Sequence, residues 1–220
     1  MGNVSKPPTL NDDQRAVDIY RKAATIIREK GFGATSMGDI AEAVDLTKGG
    51  LYYYIKGKEA LLFAIMCFAM DQLEKKVLRP ASELETPAER VARFVAGHLA
   101  MVLDEPPAMI ILADEEEALA ANHRERIASR RASYVDFLMQ AVEELAGSTS
   151  DGAGDARSEV AARSLLAMIE GVVRWYDPSD STIERAGLEK QIVNMALRSL
   201  EPGSNPGHRE PRAREDVAVA

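Results

Sequence analysis

Residues 35–62 constrain this chain more than any other stretch. Thr35 and Ser36 open it, Met37 to Val44 follow, and Asp45-Leu46-Thr47 interrupt. Lys48-Gly49-Gly50-Leu51-Tyr52-Tyr53-Tyr54-Ile55 then precede Lys56-Gly57-Lys58-Glu59. Ser36 with Asp39 three residues on is a capping-box pattern, which starts a helix. Met37, Ile40, Ala41 and Val44 recur at helical spacing and give it one apolar face. Asp45 stands where the chain must leave that helix, in the left-handed region that Gly, Asn and Asp tolerate. Thr47 is a good N-cap for a second helix. There Leu51 and Ile55 lie four apart and face one core, while Tyr52, Tyr53 and Tyr54 sweep round the helix and cannot all be buried. Gly49 and Gly50 weaken that helix by roughly 1 kcal/mol each relative to Ala. Such a cost points to a need for close backbone approach. Two short helices joined by a three-residue turn, the second exposing tyrosines and a lysine, fit the major groove of DNA. The plainer alternative is a helical hairpin with scattered surface tyrosines.

Taken whole, a net charge of −8 argues against a nucleic-acid partner. The distribution reverses that. Residues 1–58 carry 9 Lys and Arg against 7 Asp and Glu, and the remainder 18 against 28. Only the amino-terminal piece suits phosphates electrostatically. Hydrophobic residues are 46% of the chain, enough for a sizeable core, and aromatics only 5%. Abundant Ala, Leu, Glu and Arg, with no strand-period segment of useful length, favour an all-α fold.

The rest of the chain reads as helices with clear punctuation. Residues 13–30 place Ala16, Ile19, Tyr20, Ala23, Ala24 and Ile27 on one stripe, and Gly31 stops them. Residues 58–78 form a linking helix that ends near Pro80. Thr86-Pro87-Ala88-Glu89 combines an N-cap, a first-turn Pro and a box Glu. Its helix runs to about Leu103, and Pro106-Pro107 start a shorter one to about Leu119. Residues 122–146 form a long helix with arginines at its start, and Gly147 to Asp155 a loop. Helices at 156–176 and 182–200 complete the chain, the last capped by Ser181 with Glu184. That makes nine helices, three at 13–58 and six at 59–201. Residues 1–12 read as a disordered arm, with Lys6 placed to touch DNA, and 202–220 as a disordered tail. The single Cys67 excludes an internal disulfide and suits a reducing cytoplasm. The apolar run Leu61–Met70 is too short to span a bilayer, and no signal peptide is present. The expected setting is cytoplasmic, with no membrane partner.

Residues 15–62 resemble the DNA-binding domain of the TetR family of bacterial transcription regulators. The resemblance is carried by Gly31, Thr35-Ser36, Ile40-Ala41, Thr47-Lys48-Gly49, Leu51-Tyr52, Lys58-Glu59 and Leu61. Asp45 replaces the family's turn Gly, Gly50 a usual Ser or Thr, Tyr54 a His and Ile55 a Phe. The resemblance implies a ligand-responsive repressor. A three-helix helix-turn-helix DNA-binding domain would precede a six-helix ligand-binding and dimerisation domain. Residues 156–200 would pair with a second copy, so a charge at Leu165 would yield a monomer or an unfolded chain. The partner would be a palindromic double-stranded DNA operator, read by a homodimer whose recognition helices lie roughly 34 Å apart. The implied DNA-binding residues are Thr35, Ser36, Thr47, Lys48, Gly49, Tyr52, Tyr53, Tyr54 and Lys58. Of these, Thr35, Tyr52 and Lys58 would meet phosphates, and Lys48, Gly49 and Tyr53 base edges.

Arg174-Trp175-Tyr176 with Pro178 resembles a branch of that family which represses lipid or steroid degradation and responds to acyl-CoA thioesters. The branch also tends to carry an acidic stretch, here Asp114-Glu115-Glu116, ahead of a basic helix. The implied small-molecule effector is an acyl-CoA, with Arg124, Arg130, Arg174 and Trp175 in its site and Arg126 and Arg131 also able to meet its phosphates. The plainer reading pairs the arginines with Glu116, Glu117 and Glu125, and leaves Trp175 in a core or dimer interface. A sensor of amphipathic drugs controlling efflux is the alternative regulator. A channel with a basic mouth favours CoA, whereas a broad aromatic and acidic chamber favours drugs. His98 and His123 lack paired ligands at metal spacing, and a lone His is usually structural. There is no nucleophile elbow and no Gly-rich phosphate loop after a strand. No catalytic residue, metal or cofactor is therefore expected; a small all-helical enzyme is the third reading.

Overall fold

The computed structural model describes residues 12–147, 153–180 and 182–200. The expected arm with Lys6, the Ser181 cap and the tail lie outside the described residues, except that Asp12 already belongs to the first helix. Among the described residues the chain is all-α, with nine principal helices.

Three helices form the amino-terminal unit. α1 (Asp12–Lys30) stops at Gly31, whose φ of +82° suits a residue without a Cβ. α2 (Met37–Ala43) carries the reciprocal capping box of Ser36 and Asp39, and α3 (Lys48–Tyr54) begins at Thr47, whose hydroxyl accepts from the Gly50 N–H at 3.0 Å. Asp45 between them has φ +55°, as expected of the turn residue. Ile19, Ala23, Ile27, Ile40, Val44 and Leu51 close one small core. Arg15 donates to the Val44 carbonyl at 2.6 Å, tying α1 to the end of α2.

α4 (Lys58–Leu73) departs from expectation at its far end. It continues without a break through a π turn, Glu74–Leu78, and a last α turn, Arg79–Ser82. Pro80 sits inside the helix instead of stopping it. A proline cannot donate to the preceding turn and its ring crowds the carbonyl there. The π turn opens that space. Arg93, on the next helix, then donates to the Lys76 carbonyl at 3.2 Å. Gly97 lies one turn on, where a Cβ would stand 2.8 Å from the Arg93 guanidinium and 3.4 Å from Val77.

The remaining helices are α5 (Pro87–Asp104), α6 (Pro106–Asp114), α7 (Ala121–Ala146), α8 (Ala153–Gly171) and α9 (Arg185–Leu200). Thr86 and Glu89 form the expected box on α5. A short 3₁₀ turn, Glu116–Ala118, follows α6, and another, Val172–Arg174, follows α8. α8 starts earlier than expected, so Ala153 to Asp155 are helical. It also ends earlier. Gly171 and two β-branched valines weaken the helix, and Asp177 before Pro178 is biased away from it. α9 starts at Arg185 rather than 182. Asp177 accepts from the Ser179 N–H and Asp180 from the Thr182 N–H, and these local turns compete with helix.

α5 runs through the centre, packed by α7, α8 and α9, while α6 packs on α1 and α4. Among the described residues no single helix is long and apolar enough to cross a membrane. The pair α5 and α6 reaches that length only together, and it is bent by 105°. Its apolar residues, Phe94, Leu99 and Ile111 among them, are buried in the core.

Candidate nucleic-acid interface and ligand chamber

The outer face of α3 presents Lys48, Gly49, Tyr52 and Tyr53 to solvent. Tyr53 is 82% exposed, while Leu51 and Ile55 anchor the opposite face in the core. Tyr54 is half-buried and meets the Tyr53 ring edge-on at 5.3 Å. A large apolar ring held outward by a rigid short helix has no use within the chain. Lys48 and Lys56 flank it as exposed cations. Thr47 and Ser36 are exposed too, but their hydroxyls are engaged in capping. Asp39 beside Ser36 binds Lys30 at 2.7 Å, and Lys30, then Ser36, hold its carboxyl far below the usual range.

Two residues expected at phosphates are placed otherwise. Thr35 is 2% exposed, and its hydroxyl donates to the Gly31 carbonyl at 2.9 Å. It fixes the bend after α1. Lys58 donates from Nζ to the carbonyls of Phe32 at 2.7 Å and Gly33 at 3.1 Å, with Nζ 4.6 Å from the Phe32 ring centroid. Its charge clamps the loop between α1 and α2 to the start of α4. Lys58→Ala should therefore lower stability by about 1.5–3 kcal/mol, the range for hydrogen bonds to a charged group. It should leave the salt slope of DNA binding close to that of the parent chain. Thermal melts and binding at two or more salt concentrations check this; a slope lower by about one would restore Lys58 to the phosphates.

Two polar contacts tie the amino-terminal unit and the linking helix α4 to the helices behind them. Arg21 of α1 binds Glu105 at the α5–α6 corner through Nε, at 2.9 and 3.1 Å, and through its terminal nitrogen. At the start of α4, Glu59 accepts from the Ala120 N–H at 3.0 Å and pairs with His123 Nδ1 at 2.8 Å. The His123 ring stacks on Phe63 at 3.9 Å, with the Arg126 guanidinium 5.0 Å from the centroid of that ring. The start of α7 thus grips the start of α4.

Behind this junction three adjoining hollows lie between α5, α6, α7 and α8. One of about 270 Å³ is bordered by Met109, Ile110, Asp114 and Arg174. A small one of about 40 Å³ reaches His98, Tyr134 and Leu166. The widest, about 560 Å³, is bordered by Val135, Met139, Arg163 and the acids Glu116, Asp136 and Glu159. Arg131 and Glu170 line all three. His98 is 2% exposed and its Nδ1 lies 2.9 Å from Tyr134 Oη. Burial lowers its pKa to about 4 and raises those of Tyr134 and Glu170. Sequence reasoning passed over this trio. The available signal was a histidine four residues after Phe94 on the buried stripe of α5.

The arginines expected at an effector divide. Arg124 donates to the carbonyls of Glu117 at 3.2 Å and Leu119 at 3.1 Å, closing the turn before α7. Arg130 binds Asp71 at 2.6 Å and reaches the Cys67 carbonyl, joining α7 to α4. Both serve packing, and neither borders the hollows described above. Arg131 pairs with Glu116 at 2.9 Å, as the plainer reading had it. Arg174 borders the chamber with only a long contact to Asp114, 3.4 Å, and Trp175 stands exposed beside it. Among the described residues no three His, Cys, Asp or Glu side chains are placed to hold a metal ion.

The model of the tetracyclin repressor-like C-terminal domain matches residues 84–200, and that of bacterial regulatory proteins of the tetR family matches residues 19–65. The chain is 29% identical over 200 residues to the HTH-type transcriptional repressor KstR2 of Rhodococcus jostii strain RHA1, covering 88% of this chain and 97% of that protein. The crystal structure of AibR in complex with isovaleryl coenzyme A and operator DNA is similar at a TM-score of 0.72 and 31% identity, covering 86% of this chain and 98% of AibR. The ketosteroid regulator KstR2 of Mycobacterium tuberculosis shares the fold, with a TM-score of 0.73 at 19% identity over 87% of this chain and 96% of that one.

Proposed function

Because the chain belongs to the TetR family of bacterial regulators, we propose that this DNA-binding repressor acts as a homodimer on a palindromic operator under the control of an acyl-CoA effector. One observation carries the effector: the likeness to AibR, whose complex holds both isovaleryl coenzyme A and operator DNA. The three adjoining hollows give an acyl chain a place between α5 and α8. Each buried methylene would contribute about 0.8 kcal/mol before ordering costs. Arg174 and Trp175 at the rim remain the candidates for the CoA head, in place of Arg124 and Arg130. On the DNA side, Lys48, Gly49 and Tyr53 approach base edges, and Tyr52 with Lys56 the phosphates.

Tight binding alone shifts nothing; the effector must prefer one spacing of the recognition helices over the other. The contacts that would transmit the preference are Arg21–Glu105 and Glu59–His123. The first joins the DNA-binding unit, and the second the linking helix α4, to helices that border the chamber. Titrating CoA thioesters of graded chain length against the protein–operator complex tests the reading. At least one thioester should change operator affinity by roughly 5–150-fold, the usual range of such coupling. The acids Glu116, Asp136, Glu159 and Glu170 around the widest hollow favour a second reading, a sensor of lipophilic cations. If such cations alter DNA affinity and no thioester does, that reading replaces the first.

A further inference from the structure

Deep in the chamber an otherwise apolar wall of Met70, Leu73, Leu112 and Leu166 is broken by four polar side chains. They come from three helices: His98 on α5, Arg131 and Tyr134 on α7 and Glu170 on α8, with Arg131 paired to Glu116. Tyr134 occupies one ring nitrogen of His98, at 2.9 Å from Nδ1. The other, Nε2, is buried and has no hydrogen-bond partner among the described residues. Glu170 Oε1 stands 4.0 Å from it, too far for a hydrogen bond. Buried polar groups are nearly always paired, and an exception in a native chain calls for a specific cause. His98 borders a hollow of about 40 Å³ that shares Arg131 and Glu170 with the larger ones.

On the acyl-CoA reading above, we infer that the effector's acyl group carries a hydroxyl that bridges His98 Nε2 and Glu170. A hydroxyl donates and accepts at once. It completes this pair in every combination of proton positions except an unprotonated Nε2 facing an ionised Glu170, where a single O–H cannot donate twice. An oxo oxygen only accepts, and a methylene does neither. Burial works against the charged form of both His98 and Glu170, which suits a neutral partner better than a carboxylate or an ammonium group. Apolar surroundings take the hydrocarbon, and the two facing polar atoms set where along it the oxygen must fall.

Calorimetric titration of the 220-residue chain with CoA thioesters of matched length tests this. The probes are the saturated acyl form, isomers with the hydroxyl moved from C3 to the chain end, and the 3-oxo form. At least one hydroxy isomer should bind about tenfold more tightly than its saturated counterpart, with the 3-oxo form no better than that isomer. His98→Phe should reduce the ratio to near one while the saturated thioester still binds. Glu170→Leu, at a less enclosed position, should also reduce it, so the test does not depend on one buried substitution. Saturated thioesters binding as tightly as every hydroxy isomer would overturn the inference, as would a preference that survives both substitutions. In those cases the acyl-CoA reading stands, because thioesters bind. If no thioester binds at all, both fall together.

Discussion

Gly49→Ala should yield a protein that folds, melts up to 2–4 °C higher, and binds its operator roughly tenfold or more weakly. The two halves of this expectation have separate causes. A Cβ built on Gly49 meets nothing within 4 Å, so the chain itself has no reason to forbid a side chain there. Alanine is favoured over glycine in a helix by up to about 1 kcal/mol, which moves the melting point of a chain this size by about 2–4 °C. A residue that costs stability and fills no internal need points to an external one. On the outer face of α3, beside Lys48 and Tyr53, the need proposed above is contact with DNA. An added methyl at a close-packed contact costs about 1–3 kcal/mol, hence the tenfold. Gly50 behaves differently: a Cβ there would lie 3.2 Å from Thr47 Oγ1, so its bareness serves the N-cap. Melting curves and operator titrations of Gly49→Ala decide the matter, and unchanged operator affinity would remove Gly49 from the interface.

These two glycines show how far the sequence could be read. Ser36, Asp39, Asp45, Thr47, Gly31 and Thr86 act through their nearest neighbours in the chain, and each was legible because capping and turn chemistry is local. The charge split and the outward tyrosines of α3 were legible for the same reason. What escaped was long-range. Nothing near Lys58 in sequence announces that its ammonium binds carbonyls at Phe32 and Gly33, and nothing near Arg130 announces Asp71; Arg124 is engaged closer by, in the turn before its own helix. A basic residue on an exposed-looking stretch reads as free for phosphate, whereas tertiary contacts engage Lys58 and Arg130. The π turn before Pro80 was hidden likewise. Proline is a stop signal unless the preceding turn widens and another helix supplies a donor for the carbonyl left over, and Arg93 comes from α5. The polar trio in the chamber needed three helices to be brought together before it could be seen.

The double substitution Val160→Glu with Met195→Glu should leave a folded monomer of 24.0 kDa whose operator affinity is lower by on the order of 100-fold. A charge at Leu165 would test the homodimer less well. Leu165 is buried within its own chain, so the fold itself would fail. Val160 on α8 and Met195 on α9 are instead 65% and 48% exposed, and no contact within the described chain accounts for leaving them in water. They lie on the two helices expected to form the bundle with a second copy. A stable interface buries roughly 800 Å² on each partner and excludes unpaired charge from its centre. Four carboxylates brought together across a two-fold axis would therefore separate the copies without touching the core of either. Each freed recognition helix would keep its own contacts to one half-site, but the second half-site would no longer be bound as an intramolecular event. Light scattering gives the mass, circular dichroism the fold, and titration of full and half operators the affinity. Should the variant remain a dimer that binds the full operator normally, the two-fold contact lies on another face of the molecule.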